Sequence, residues 1–323
     1  MTSAISLQGV TKTFGDTKAV DALSLEVPQG GTYGFIGPNG AGKTTTIRIV
    51  MSILQPDSGS VSVLGHGSAL QAKDRIGYLP EERGIYRKMR VGAFLNYMGR
   101  LKGVHASILP NRVRIRLERL GLEQYENKRC EELSKGTQQK IQFIGAVIHD
   151  PDLLILDEPF SGLDPVSTQQ LRELILAEHR RGATIVFSTH VMAHAEELCD
   201  HIVMINRGRK VLDDPIAAIR GRFDPRTVRL EPLDPHADDA PLRALAGVER
   251  VARSDSGIEV RLDAGTDPAA ALARIAAAVP SSRIELARPR LEEIFIRIVA
   301  EGRDADAAPA MSQLPRTAAG GAR

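Results

Sequence analysis

The stretch GPNGAGKTT, residues 37–45, constrains the fold of this chain more than any other part of its sequence. It satisfies the pattern G-x-x-x-x-G-K-[ST] and lies between a strand candidate, TYGFIG, and a helix, as that pattern requires. Its glycines let the backbone curl so that successive N–H groups face inward at the positive end of the following helix. An ordinary glycine-rich turn is the alternative, but it would not need this strand and helix. We therefore predict a loop that binds phosphate groups.

The side chains of this loop indicate a nucleoside triphosphate with its metal ion. Lys43 is predicted to bridge the β- and γ-phosphates, and Thr44 to offer its hydroxyl group to Mg²⁺. The residues predicted to contact the nucleotide here are Gly37, Pro38, Asn39, Gly40, Ala41, Gly42, Lys43, Thr44 and Thr45.

A second motif, LLILDEPF, places two acids just past an apolar strand. α/β proteins bind their ligands at the carboxyl ends of parallel strands. At that edge Asp157 is predicted to hold the Mg²⁺ shell, and Glu158 to orient and polarise a water aimed at the γ-phosphate. The two acids before Pro159 could instead cap a turn, but unneutralised carboxylates near a phosphate loop favour the functional interpretation.

His190 ends another apolar strand candidate, ATIVFSTH, and so belongs to the same sheet edge as Lys43 and Asp157. Its imidazole is predicted to reach the γ-phosphate or the attacking water. A lone histidine is more often structural or simply exposed, and the other histidines of the chain have no such context. The shared edge is therefore the basis of this prediction.

Composition excludes several classes of protein. With 42 Lys and Arg against 40 Asp and Glu, the formal net charge is +2, so bulk charge implies no nucleic acid partner. Cys130 and Cys199 lack metal-ligand spacing, and the N-terminus lacks the layout of a secretion signal, which together indicate the cytoplasm. No apolar run approaches the roughly 20 residues that span a bilayer, so a membrane role would require another chain.

The order of strand and helix patterns predicts an α/β first domain, residues 1–220, with a helical insertion at about 85–150. Continuous apolar strands separated by helices indicate a parallel sheet covered on both faces. Residues 226–300 follow a stretch rich in Pro, Asp and Arg and show the order strand, helix, strand, strand, helix, strand. That is the order of a small α+β ferredoxin-like unit, and a final helix, RLEEIFIRIV, follows it. Residues 301–323, rich in Ala, Gly and Pro, are predicted to form a disordered tail.

Four motifs occur in a fixed order, GPNGAGKTT, LSKGTQQK, LILDEPFSGLDP and STH. In this respect residues 1 to about 220 resemble the nucleotide-binding subunit of an ABC transporter. The resemblance implies a P-loop NTPase cassette with a parallel core sheet, an antiparallel β subdomain and a helical insertion. It also implies ATP and Mg²⁺ as cofactors, integral membrane permease subunits as partners, and a head-to-tail dimer with a second ATP-binding subunit, expected to be a homodimer.

In such a dimer each ATP lies between the P-loop of one subunit and the signature segment of the other. LSKGTQQK stands where that signature belongs, so the resemblance implies that Ser134 and Gly136 meet the partner's γ-phosphate. Asp164 would lie near the subunit boundary. Phe14 resembles the aromatic residue on which adenine stacks in this family, with a core aromatic on a strand as the alternative.

Two positions depart from the family pattern. The usual signature is Leu-Ser-Gly-Gly-Gln, whereas here Lys135 and Thr137 replace a Gly and the Gln. A lysine near a triphosphate is electrostatically favourable, so Lys135 is predicted to join the contact with the partner's ATP. Glu81 stands where the family usually has a Gln that contacts Mg²⁺, and because carboxylates also ligate Mg²⁺, it is predicted to reach the metal. The helix after the signature is predicted to begin near Thr137.

The carboxyl-terminal unit narrows the resemblance. Export-type ATPase subunits, including those of sodium-extrusion and drug-resistance exporters, resemble this chain in GYLPEERGIY and in an appended domain ending like RPRLEEIFIRIV. This implies an ATPase, with Glu158 as base and His190 as γ-phosphate sensor, that powers export from the inner face of the cell membrane. The cargo is not identified by these residues.

Three alternatives come from other classes of protein. A soluble, non-transport ABC ATPase usually carries a coiled-coil insertion or two tandem cassettes, and the sequence shows neither. A GTPase would need Asn-Lys-x-Asp, and the nearest match, NKRC, ends in Cys130. A regulatory module that only dimerises on ATP is disfavoured by the complete set of candidate catalytic residues.

Overall fold

The computed structural model describes residues 3–82, 84–222, 226–254, 257–287, 290–296 and 298–299. Contacts divide the chain into two compact units, Met1–Ile219 and Arg220–Arg323. The predicted disordered tail, residues 301–323, lies outside the described residues. In the described part of the chain, no helix is both long and apolar enough to cross a membrane.

The first unit contains one antiparallel and one mainly parallel sheet. Its strands are β1 (Ser3–Phe14), β2 (Thr17–Pro28), β3 (Thr32–Ile36), β4 (Ser58–Val63), β5 (Ile76–Leu79), β6 (Leu153–Asp157), β7 (Thr184–Thr189), β8 (His201–Asn206) and β9 (Arg209–Pro215). The antiparallel sheet has the order β2-β1-β4. The larger sheet has the order β5-β6-β7-β3-β8-β9 and is parallel except for the pair of β8 and β9.

The helices surround this sheet and form the insertion. They are α1 (Lys43–Val50), α2 (Val91–Leu101), α3 (Leu109–Glu118), α4 (Lys135–Val147), α5 (Pro165–Arg180), α6 (Met192–Leu198) and α7 (Ile216–Arg222). Between β5 and β6 the chain forms α2, α3 and α4, whose buried side chains, such as Phe94, Leu117 and Ile141, make a core of their own. The prediction of a helical insertion is therefore confirmed.

The start of α4 differs from the prediction. The helix begins at Lys135, two residues before the expected start near Thr137. Ser134 is its N-cap residue, because its Oγ accepts a hydrogen bond from the Thr137 N–H at 3.3 Å. The cap therefore places both Lys135 and Gly136 in the first turn of the helix.

The three central strands explain how the site residues come together. Every residue of β3, β6 and β7 is buried, as expected of parallel strands covered on both faces. These strands are neighbours in the order β6-β7-β3, so their carboxyl ends meet at one sheet edge. The segments that leave this edge carry Asp157, His190 and the phosphate loop.

The second unit has the predicted α+β order. Its elements are β10 (Thr227–Pro232), α8 (Ala240–Arg243), β11 (Val248–Ser254), β12 (Gly257–Leu262), α9 (Pro268–Ala278) and β13 (Ser281–Ala287). The antiparallel sheet order β11-β12-β10-β13 is that of a ferredoxin-like unit, and residues 291–296 and 298–299 are helical. The first helix is shorter than PLRALAG suggested, since the chain turns before Gly247, whose φ is 86°. The predicted fold class is confirmed for both units.

Candidate nucleotide site

The predicted phosphate loop connects β3 to α1 at the carboxyl edge of the parallel sheet. Its backbone has positive φ at Gly40 (77°) and Gly42 (106°), a conformation that other residues rarely adopt. A Cβ atom on Gly42 would lie 2.2 Å from the carbonyl oxygen of Ala19 in β2. Both the turn and this close approach therefore require glycine.

The hairpin of β8 and β9 also supports the loop. The Gly208 N–H donates a hydrogen bond to the Ala41 carbonyl at 2.8 Å, and a Cβ atom on Gly37 would lie 2.2 Å from the carbonyl oxygen of Ile205. These supporting residues were not predicted from the sequence, because backbone contacts leave no side-chain pattern to find. They hold the loop in its curled form.

Lys43 is buried at the base of the loop. Its Nζ donates to the carbonyl oxygens of Gly37 (2.8 Å) and Pro38 (3.2 Å) and lies 3.8 Å from Glu158 Oε1. Burial lowers the pKa of Lys43, while the negative charges of Glu158, Asp157 and Glu81 act in the opposite direction. An ammonium group held in this way can donate a further hydrogen bond to a phosphate oxygen.

Asp157 ends β6 and is 1% exposed. Its Oδ1 accepts hydrogen bonds from Thr44 Oγ1, at 3.3 Å, and from Ser188 Oγ. Its Oδ2 is buried and has no hydrogen-bond partner among the described residues. Burial raises the pKa of Asp157, although the hydrogen bonds from Ser188 and Thr44 lower it. A hard cation would satisfy the unpaired oxygen, so Thr44 and Asp157 fit a magnesium ion.

Glu158 and His190 form a pair beside Lys43. His190 Nδ1 lies 2.9 Å from Glu158 Oε1, and the histidine side chain is 44% exposed against 8% for the glutamate. Glu158 has φ 46°, an uncommon value for a residue with a side chain. Ser188 holds it there, because its carbonyl and Oγ accept from the Glu158 N–H at 3.2 and 3.1 Å. A buried carboxylate next to an accessible imidazole can activate a water and contact a phosphate.

A cavity of about 430 Å³ lies beside the phosphate loop, and its described lining contains Glu158 but neither Asp157 nor His190. It is lined by Ala19, Asn39, Gly40, Ala41, Gly42, Lys43, Thr44, Thr45, Glu81 and Glu158. Glu81, predicted only from its place in the family pattern, therefore faces the same space as Lys43 and Thr44. Phe14 lies at the end of β1 and is 51% exposed, so the alternative of a core aromatic is wrong.

The signature residues form a separate group. Ser134 and Lys135 are exposed, whereas Gly136 is buried. A Cβ atom on Gly136 would lie 2.4 Å from Ser167 Oγ, so this close contact requires glycine. Asp164 caps α5 by accepting from the Ser167 N–H at 3.0 Å and from its hydroxyl group at 2.7 Å. None of the four predicted partner-contact residues belongs to the described lining of the cavity.

Two polar residues of the site were missed in the sequence. Ser188 binds both Asp157 and Glu158, and Gln139 Nε2 donates to the Pro159 carbonyl at 3.0 Å. Gln139 is buried and therefore ties α4 to the turn that carries Glu158. Both are polar residues in buried apolar surroundings, and that is the one signal by which the sequence could have revealed them.

Two family models match this chain. A family model described as ABC transporter matches residues 20–161. A second model, described as ATP-binding protein DrrA1-3-like, C-terminal domain, matches residues 215–299. The two matches together cover parts of both structural units.

Individual relatives extend this similarity. YhaQ, an ABC transporter ATP-binding protein of Bacillus subtilis (strain 168), is 40% identical over 91% of this chain and 98% of its own. The Nod factor export ATP-binding protein I of Cupriavidus pinatubonensis (strain JMP 134 / LMG 1197) is 37% identical over 66% of each chain. A solved structure of an ATP binding subunit of an ABC transporter has a TM-score of 0.63 and 28% identity, and covers 68% of this chain and 93% of that chain.

Proposed function

Because this chain belongs to the family of ABC transporter ATP-binding subunits, which work with membrane subunits, we propose that it hydrolyses ATP to power export. ATP binding is a property of the family. We further propose that the chain hydrolyses the bound ATP, that it uses Mg²⁺ and that transport is outward. The 37% sequence identity with a Nod factor export ATP-binding protein supports export over import.

The observation that carries the proposal is Asp157 Oδ2, which is buried and has no hydrogen-bond partner in the part of the chain that the structure describes. A buried carboxylate oxygen without a partner is costly, and a bound cation would satisfy it. Thr44, Asp157 and Glu81 would hold Mg²⁺, which when bound neutralises charge on the β- and γ-phosphate oxygens. The glycine-rich loop would hold the phosphates through its N–H groups, and Phe14 would stack on the adenine base.

Hydrolysis would follow from the pair of Glu158 and His190. The Glu158 carboxylate would orient a water toward the γ-phosphorus and accept its proton as the P–O bond to ADP breaks. His190, the more exposed of the two, would contact the γ-phosphate and fix the glutamate through its Nδ1 contact at 2.9 Å. The hydrogen bonds from the Glu158 N–H to Ser188 would hold the carboxylate in place during this step.

The separation of the signature group from the described cavity lining supports a dimer. Ser134, Lys135, Gly136 and Asp164 would contact ATP held by a second subunit, most simply another copy of this chain in head-to-tail order. Two such sites would close on two ATP molecules. The subunit would sit in the cytoplasm, on the inner face of the cell membrane, against its permease subunits.

The segment after Glu81 supports a path from the ATP site to the helical insertion. Tyr86 follows five residues after Glu81. Its ring centroid lies 6.2 Å from that of Phe94 and 5.5 Å from that of Tyr97, both on α2. A shift of Glu81 on binding or losing its metal would therefore move a residue packed on α2. A soluble ABC ATPase would not need this coupling, and co-purification with a polytopic membrane protein separates the two proposals.

Magnesium titration tests both the activity and the role of Glu81. The purified chain, alone and with its membrane subunits, is expected to release phosphate from ATP only when Mg²⁺ is present. Glu81→Ala should raise the Mg²⁺ concentration for half-maximal hydrolysis about tenfold, because one carboxylate is lost from the metal site. Glu82→Ala, a change at the neighbouring exposed acid, is the matched control. Equal Mg²⁺ dependence in wild type and Glu81→Ala would rule out the metal contact.

Lys135 provides a test of the contact between subunits. Lys135→Gln should raise the KM for ATP about two- to fivefold, with a smaller effect at high salt, since an exposed charge contact is weak and screened. Helix stability should not fall, because a cation in the first turn of α4 opposes the helix dipole. Lys140→Gln, on the same helix and bonded to Gln170, is the control. A KM that does not depend on Lys135 at low salt would contradict the contact.

A further inference from the structure

The Phe14 ring is contacted by a lysine of its own strand, β1. The ammonium group of Lys12 lies over the Phe14 ring, 5.7 Å from its centroid, within the range of a cation–π interaction. The same ammonium pairs with Asp57 Oδ1 at 2.7 Å, and the Lys12 side chain is only 16% exposed. Lys12 is therefore a fixed cation against the ring, whereas Phe14 itself is half exposed.

Asp57 contacts the segment of β1 that precedes Phe14. Its Oδ2 accepts from the Thr13 N–H at 2.7 Å, and its own N–H donates to the Thr11 carbonyl at 2.8 Å. Together with the Lys12 ion pair, this one residue holds all three residues that precede Phe14. Asp57 lies just before β4, so the support is provided by a different part of the chain.

The hairpin of β1 and β2 connects this support to the nucleotide cavity. Phe14 pairs with Thr17 across the hairpin, and Ala19, two residues further along β2, lines the cavity. Two residues of a strand span about 7 Å. The carbonyl of Ala19 packs against Gly42 of the phosphate loop, so the hairpin and the loop are fixed to each other. Phe14 is therefore held at a defined distance from the phosphate loop.

We propose that Lys12 and Asp57 are positioning residues that hold the Phe14 ring as a one-sided platform for the base of ATP. The inference rests on the proposed stacking of adenine on Phe14. Lys12 covers one face of the ring, and the base stacks on the other. A ring already fixed in the free protein loses less freedom when the base binds, which raises affinity for the base without touching the phosphates.

Binding of ATP and of inorganic tripolyphosphate, both with Mg²⁺, separates this role from a general one. Lys12→Met and Asp57→Asn in the full chain should each weaken ATP binding about two- to fivefold and leave tripolyphosphate binding unchanged. Lys12→Arg keeps a cation that can stack on the ring and pair with Asp57, and should therefore retain more of the ATP affinity than Lys12→Met. Lys18→Met removes the same charge from the same hairpin and is the control. The chain has no Trp, so displacement of a fluorescent ribose-labelled ATP gives a clean signal.

The outcomes distinguish the inference from the proposal beneath it. If Phe14→Ala leaves ATP binding unchanged, the adenine site itself is misplaced. If Phe14→Ala weakens ATP binding but Lys12→Met and Asp57→Asn do not, the platform is overturned and the adenine site remains. Equal losses for ATP and tripolyphosphate in Lys12→Met would also overturn it, because they would indicate an effect on phosphate attraction.

Discussion

Glu158→Gln is expected to bind ATP and to lower the rate of phosphate release about 10²- to 10⁴-fold, the usual contribution of a general base. The amide has nearly the same shape and can keep the contact with His190, but it cannot accept a proton from the attacking water. ATP should therefore stay intact in the site. Phosphate release under single-turnover conditions measures the chemical step directly.

The same variant should accumulate as a closed dimer in ATP. The ligand that joins the two subunits is no longer consumed, so mass action favours the assembled state. Light scattering during size exclusion, with and without ATP, measures this change. Glu173→Gln, on an exposed position of α5, is the control for loss of a negative charge. Undiminished phosphate release from Glu158→Gln would remove Glu158 from its proposed role.

Lys43→Met should weaken ATP binding about 10- to 100-fold, because each hydrogen bond of a charged group contributes about 1.5–3 kcal/mol. The ammonium group is the buried cation nearest Glu158, at 3.8 Å, and the negative charge of Asp157 also acts on it. Without it, the phosphates would lie near the carboxylates of Asp157 and Glu158 with one compensating positive charge fewer. Isothermal titration with ATP and Mg²⁺ measures the loss.

Folding must be checked separately for this variant. Burial lowers the pKa of Lys43, so desolvation of the ammonium group already offsets part of its contribution to the stability of the free protein. The melting temperature without nucleotide is therefore expected to change little, while the increase in melting temperature on adding ATP should be lost. An ATP affinity within about twofold of the wild type in a folded Lys43→Met protein would contradict the phosphate contact.

Local sequence patterns were sufficient for the main elements of the fold. The apolar strands β3, β6 and β7 are short, continuous and followed by chemically distinctive residues. Both the strands and the sheet edge that carries the site were therefore predictable. The second unit was predictable as well, because alternating apolar positions and turn residues mark each of its strands. The boundaries were less certain, and the start of α4 and the length of α8 were set by capping and by Gly247.

The candidate site was predictable where one residue type is tied to one task. A glycine-rich turn ending in Lys43 and Thr44 has few other uses, and an acid pair after a buried strand has few as well. Ser188, Gln139 and Asp57 are different, because common polar residues far apart in the chain acquire a role only through the groups beside them. Nothing in the neighbouring residues of the chain identifies the groups with which they pair.

The order of the motifs therefore determined the family, the nucleotide and the residues that meet at the sheet edge, since parallel strands must bring their carboxyl ends together. Tertiary packing alone decided that Asp157 Oδ2 is buried without a hydrogen-bond partner among the described residues, and that Lys12 covers the Phe14 ring. Both facts depend on residues from distant parts of the chain, because Ser188 lies beside Asp157 and Asp57 holds Lys12 over the ring. Such contacts arise when the whole core packs, and no local pattern encodes them.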